Sequence, residues 1–195
     1  IASELANHLS TVSVEHRKMA ERLNNVNTFV PRKHFTFGEF DITPIVVDHS
    51  AFDAYAFCIE AKGLKVFHSG DFRKHGFRSG KLATVIERYV ERADYVVCEA
   101  TNVNRPDTAI MSEHELQKEF EKAFTENKYN VAYVSSTNID RLFGLYHAAI
   151  RANRPFYVDA YQKRIMDIVA GRDKIWSKSS LYNYIEGKKP QKLIQ

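Results

Sequence analysis

Three short runs of β-branched and aromatic residues follow one another between Asp41 and His68, and any fold for this chain has to accommodate them first. Asp41–Val47, Tyr55–Glu60 and Leu64–His68 each read as a strand. Ala61-Lys62-Gly63 joins the last two, and a three-residue connection closing on Gly is a hairpin signal. Just upstream, Phe35-Thr36-Phe37 and Phe40–Thr43 flank Gly38-Glu39, a two-residue loop with Gly first and a candidate type II′ turn. Pro44 lies inside the first of the three strands. It has no N–H to give a neighbour, which argues for an edge position or a bulge. His49 follows that strand, and Asp71 follows the third inside Ser69-Gly70-Asp71. A rigid sheet holds side chains at such ends while leaving them open to a substrate.

The flanking sequence is helical in pattern. Leu5, Leu9, Val12, His16, Met19 and Leu23 recur at spacings of three or four, predicting one helix over residues 1–24 that ends at Asn24-Asn25. His8 and His16 lie about two turns apart on it and read as solvent-facing or core-edge residues. Phe72–Lys81 is a basic loop, either a phosphate-meeting loop using Arg73, Lys74 or Arg78 or an ordinary solvated one. A helix follows over Leu82–Ala93 with Leu82, Val85, Ile86 and Tyr89 inward, then a buried strand over Asp94–Glu99.

Beyond a polar loop at 102–109 the pattern becomes a regular alternation. Ser112-Glu113-His114-Glu115 opens a helix as a capping box and runs it to about Asn127. A strand at Val131–Val134, a helix capped by Thr137 or Asn138, a strand at Pro155–Val158 and a helix over Ala160–Ala170 ended by Gly171 follow. This order predicts a parallel, layered α/β unit. The tail, with Trp176, Lys174, Lys178, Lys188 and Lys189, reads as less regular.

Composition narrows the class. The chain is 44% hydrophobic and 27% charged, which is ordinary globular usage. A net charge of +4 permits a phosphate-bearing partner without requiring one. Cys58 and Cys98 sit in apolar strand patterns and read as buried, reduced thiols. No apolar run approaches the roughly 20 residues of a membrane span, so no membrane partner is expected and a cytoplasmic location is.

Val47-Asp48-His49-Ser50, then a hairpin, then His68-Ser69-Gly70-Asp71-Phe72-Arg73 resemble the middle of a metallo-β-lactamase-fold hydrolase. Tyr95-Val96-Val97-Cys98-Glu99-Ala100-Thr101 resembles the strand and acidic turn that open the inserted β-CASP domain of the RNA-processing branch. Val134–Leu142 is similar to the S-N-x-x-R stretch of that domain, as in ribonuclease J-like proteins. The resemblance implies part of an αββα sandwich over residues 1–100 and part of a β-CASP-like α/β domain over 101–195. The H-x-H-x-D-H motif of the family is absent, because no two of the eight His residues are two apart. The chain therefore reads as an internal piece of a longer enzyme, with an incomplete ligand set.

What the resemblance implies for chemistry is specific. His49 and Asp71 are metal ligands, Asp71 bridging two zinc (or manganese) ions. Two-metal hydrolases use such a pair to activate a shared water. Glu99, with Asp71, belongs to the catalytic centre. The residues themselves, rather than the resemblance, make Arg73 of the basic loop and Ser135, Ser136 and Asn138 candidate substrate contacts, the last three before a helix N-terminus where free N–H groups favour phosphate, although the same residues cap any helix. His68 reads as a core or supporting residue rather than a ligand. The substrate implied is RNA or another phosphodiester, and the complete protein is a candidate homo-oligomer. A catalytically inactive binding or scaffold member of the family, or a small-molecule metallo-hydrolase, are the other readings. The piece by itself is expected to bind metal poorly, since a catalytic zinc keeps about three protein ligands.

Overall fold

The strands β1 (Phe35–Phe37), β2 (Phe40–Val46), β3 (Tyr55–Ala61) and β4 (Leu64–His68) form an antiparallel meander, and β5 (Tyr95–Val97) adds to β4 in parallel. The computed structural model describes residues 2–104, 106, 110–176 and 191–192. Phe37 pairs with Phe40, so Gly38-Glu39 is the whole β1–β2 loop, with Gly38 at φ 60° as a type II′ turn requires at its first central position. The β3–β4 loop is shorter than expected. Ala61 pairs with Leu64, leaving only Lys62 and Gly63, at φ 52° and 78°, the two positive values of a type I′ turn.

Pro44 is accommodated as an edge residue. It pairs with Phe57 of β3, but β1 reaches only to Ile42 on the other side. There the Pro44 carbonyl accepts the Arg32 N–H at 3.0 Å. A residue's N and O point the same way in a strand, so the missing N–H also faces the side β1 does not cover.

Alternation splits the sheet faces. Ile45, Val47, Ala56, Cys58 and Phe67 form a buried cluster on one face. Burial pushes the Cys58 thiol pKa up. On β3 the alternate residues Tyr55 and Phe57 meet Phe29, with ring centroids at 4.9 and 5.7 Å. Val85, Tyr89, Val90 and Ala93 pack against the cluster from the β4–β5 crossover. That crossover is a 3-10 turn (Ser79–Lys81), α3 (Leu82–Val85) and a π-helical stretch (Ile86–Val90). The wider π turn shifts the helical phase, so Ile86, expected inward, is exposed and Val90 packs instead.

Three sequence expectations change here. β5 is not buried: Tyr95, Val96 and Val97 are exposed, because β5 is the last strand in the sheet order. Cys98 beyond it is exposed rather than buried, although both thiols are free. Val131–Val134 is not a strand. Val131 and Tyr133 are fully exposed, and a run with strand propensity stays irregular without a ladder partner. Among the described residues between β5 and residue 155 the chain instead forms a pair of packed helices, α4 (Glu113–Glu126) and α5 (Ile139–Arg151). The capping box at Ser112 and Glu115 forms as expected, and Asn138 caps α5. α5 buries Leu142, Phe143, Leu145, Tyr146, Ala148 and Ala149.

The chain divides into two compact units, Phe29–Pro155 and the described parts of Ile1–Thr28 with Phe156–Gln195. In the second, the single helix expected over 1–24 is two, α1 (Ala2–Leu9) and α2 (Val14–Asn24). Ser13 Oγ accepts the His16 N–H at 3.2 Å and starts α2 afresh; hydroxyl residues compete in this way with a continuous helix. Val12 and Met19 of the predicted stripe are exposed. β6 (Tyr157–Val158) pairs in parallel with β7 (Gln191–Lys192). α6 (Ala160–Trp176) runs past Gly171, so this glycine does not end it. Lys178, Lys188 and Lys189 of the basic tail lie outside the described residues, as do Arg105 and residues 107–109 of the polar loop. The class is α/β, with a mixed sheet and helices, as the sequence predicts.

Candidate functional site

His49 and Asp71 lie on two loops at the same end of the sheet, since β2 and β4 both run antiparallel to β3. The His49 loop is held from α5. The Ser50 carbonyl accepts the N–H groups of Ile139 at 2.9 Å and Asp140 at 3.4 Å. His49 is half-buried, and its Nδ1 accepts the Ala51 N–H at 3.4 Å. Beside it Asp48 is buried and receives the Gly76 N–H on Oδ2 at 2.8 Å. Burial raises the Asp48 carboxyl pKa, Arg73 pulls it down, and the neighbouring Asp140 pushes it up again; the net direction is upward.

The Asp71 turn is held from β5. Ser69 N–H donates to the Val97 carbonyl at 2.8 Å, and the Glu99 N–H donates to Ser69 Oγ at 3.2 Å. Glu99 Oε1 accepts the Phe72 N–H at 2.9 Å, and its Oε2 accepts the Thr101 hydroxyl at 3.1 Å. Glu99 is therefore bonded to the amide next to Asp71, while Asp71 itself is exposed. Gly70 makes the turn possible. It sits at φ 57°, and a Cβ there would stand 2.2 Å from the Tyr55 carbonyl oxygen. The Gly70 N–H donates to His68 Nδ1 at 3.1 Å; His68 is exposed, not a core residue.

Arg73 differs most from its expected surroundings. Its guanidinium is nearly buried and engaged by carboxylates rather than turned to solvent. Nη1 donates to Glu113 Oε1 at 3.1 Å, Nη2 donates to Asp140 Oδ2, and Nε lies 3.8 Å from Asp48 Oδ1. Arg141 grips Glu113 as well, Nε to Oε2 at 2.9 Å and Nη2 to Oε1 at 3.1 Å. Burial opposes ionisation of Glu113, but the bonds and charges of Arg141 and Arg73 outweigh it and hold the carboxyl below its usual range. None of Asp48, Glu113, Asp140 and Arg141 is assigned a site role from the sequence, although Asp48 stands in Val47-Asp48-His49-Ser50 and Arg141 closes the S-N-x-x-R stretch. For Glu113 and Asp140 the only local signal is an acid in the first turn of α4 or α5, which a capping or helix-dipole role explains equally well.

Ser135, Ser136 and Asn138 form the turn into α5. Ser135 Oγ bonds Thr137 Oγ1 at 2.9 Å and accepts the Thr137 N–H at 3.3 Å. Asn138 Oδ1 accepts the Arg141 N–H at 3.2 Å. With Ile139 and Asp140 bonded to Ser50, the first N–H groups of α5 already have protein acceptors.

A metal test can be made on the donor set itself. Among the described residues no three His, Cys, Asp or Glu side chains converge as a metal-holding group around His49 and Asp71 or elsewhere. No helix among the described residues is long and apolar enough to cross a membrane.

Comparison with known proteins gives one curated relative and a fold. The chain is 27% identical over 157 residues to Ribonuclease J of Mycoplasma pneumoniae, an alignment covering 78% of this chain and 27% of that protein. A solved structure of a protein of unknown function from Enterococcus faecalis superposes with a TM-score of 0.66 at 18% identity, covering 75% of this chain and 36% of that one. This likeness is one of fold. No family model matches. The chain thus spans about a quarter to a third of the length of the proteins it matches.

Proposed function

We propose that this chain is part of a hydrolase acting on RNA, built on a metallo-β-lactamase-type sheet with a β-CASP-like insertion beginning near residue 101. The observation that carries the reading is the bond from the Phe72 N–H to Glu99 Oε1, made by the two acidic segments singled out in the sequence. The similarity to Ribonuclease J, which includes most of this chain, supports it. In this reading His49 and Asp71 are two ligands of a dinuclear zinc or manganese centre completed by side chains outside the 195 residues. Glu99 steadies the Asp71 turn, Ser135, Ser136 and Asn138 line the approach of the phosphodiester backbone, and the complete protein works in the cytoplasm.

Arg73 enters the reading through its ion pairs rather than as a free phosphate ligand. The metal, when bound, supplies an activated water. This chain's own contribution is to hold His49 and Asp71 on adjoining loops, with Glu99 fixing the peptide that follows Asp71.

The test is cleavage of a labelled single-stranded RNA by the longer protein that carries this chain, with zinc or manganese supplied. Loss of at least about 100-fold in rate for His49→Ala and Asp71→Asn, with the fold intact, is the expected result. Undiminished cleavage in both variants, or no cleavage by the unaltered protein with either metal, overturns the reading. In the second case, retained RNA binding would assign the chain to a binding or scaffold role.

A further inference from the structure

Arg73 stands where four segments meet. Its own N–H donates to the Asp48 carbonyl at 2.7 Å, joining the loop of Asp71 to the loop of His49. Its guanidinium reaches Glu113 at the start of α4 and Asp140 in the first turn of α5. Arg73 lies two residues beyond Asp71, and Asp48 lies one residue before His49, so a shift at Arg73 must be felt on both loops. Gly76 closes the arrangement. A Cβ there would meet Asp48 Oδ1 at 2.1 Å and Arg73 Nε at 2.7 Å, so the backbone approaches the pair as only Gly permits.

We infer that Arg73 is a positioning residue that sets the His49 loop and the Asp71 turn relative to one another from the N-termini of α4 and α5. The geometry demands Arg. Two carboxylates on different helices are held by two different nitrogens of one planar fork, while the backbone and Nε face Asp48. An ammonium is a point charge and cannot reach both carboxylates in fixed directions. Removing the guanidinium leaves the buried Asp48 and Asp140 without the cation they share, so the His49 loop and the start of α5 lose their charge link to the segment that follows Asp71. The inference rests on the proposed function for its consequence in catalysis, but the coupling itself needs neither metal nor RNA to be observed.

The experiment is amide hydrogen exchange and chemical-shift mapping by NMR on the 195-residue chain, for the unaltered protein, Arg73→Met and Arg73→Lys. In Arg73→Met the amides of Gly76, Ile139 and Asp140 are expected to exchange at least about tenfold faster, while those of Ala56, Cys58 and Ile59 stay within about threefold. The Ala51 and Phe72 resonances are expected to move together. Arg73→Lys keeps the charge but loses the fork, and is expected to give most of the same loop effect. If Arg73→Met does not fold, Arg73→Lys carries the test with the same local pattern. Unchanged loop amides, or equal acceleration of sheet and loops, overturns the inference, because Arg73 would then be inert or merely a global stabiliser. RNA cleavage is not read in this experiment, so failure of the hydrolase reading remains distinguishable from failure of the coupling.

Discussion

Arg141 holds Glu113 by two hydrogen bonds, Nε to Oε2 at 2.9 Å and Nη2 to Oε1 at 3.1 Å, across the starts of two helices 28 residues apart in sequence. Glu113 is almost fully buried, and Arg73 takes the second lone pair of Oε1. A buried carboxylate with two guanidinium partners is costly to disturb, because each partner is left with an uncompensated charge. Glu113→Gln is expected to cost roughly 3 kcal/mol of unfolding free energy, read as a lower urea midpoint at unchanged slope.

Acid should act on the same group. The folded-state pKa of Glu113 lies below its ordinary 4.5, so the unfolded chain binds the proton more readily. The stabilisation is therefore complete above about pH 4.5 and is lost as the pH falls through the lower folded value. Asp48 has the opposite sign: its raised pKa means that stability falls as pH rises from 3.8 toward the folded value. Asp41 and Glu115, also lowered, add to the Glu113 trend. Melting temperature between pH 5 and 3 should decline in the unaltered chain, and decline less steeply in Glu113→Gln.

Gly76→Ala and Gly80→Ala form a matched pair. The first drives a methyl into Asp48 and Arg73, whereas at Gly80 a Cβ meets nothing within 4 Å and the backbone is not in the left-handed region. Gly76→Ala is expected to cost about 2 kcal/mol or more, and Gly80→Ala to be neutral or stabilising by up to about 1 kcal/mol. Equal melting temperatures for the two variants would contradict this.

Asn138→Ala removes the side-chain acceptor of the Arg141 N–H at the start of α5. A loss of about 1 kcal/mol in urea unfolding is expected for the cap. If Asn138 also meets the phosphodiester, the RNA affinity of the longer protein should fall beyond what Ser112→Ala causes, since Ser112 caps α4 in the same manner.

Asp71→Asn separates function from stability. Asp71 is exposed, so the change should move the unfolding free energy by no more than about 0.5 kcal/mol; under the proposed function it should also lower RNA cleavage at least about 100-fold. A large loss of stability would mark Asp71 as a structural turn residue.

The β2–β4 meander, the II′ turn at Gly38, the edge-or-bulge character of Pro44, the Ser112 capping box and a cap of α5 at Thr137 or Asn138 were legible in the sequence, because each depends on neighbours a few residues away. So were the loops that carry His49, Asp71 and Glu99. What was not legible depends on partners distant in the chain. Tyr95–Val97 and Val131–Val134 carry the same strand propensity. Only the first finds a ladder, because Val66, Phe67 and His68 lie open beside it. Arg73 read as one cation of a basic loop that either meets phosphate or is simply solvated, yet Glu113 and Asp140, 40 and 67 residues on, claim its guanidinium. Local sequence by itself determined the β2–β4 strands, the turn at Gly38 and the caps of α4 and α5. Only the tertiary structure decided which charges are buried together, since that choice is made by three-dimensional packing of loops that no spacing in the chain records.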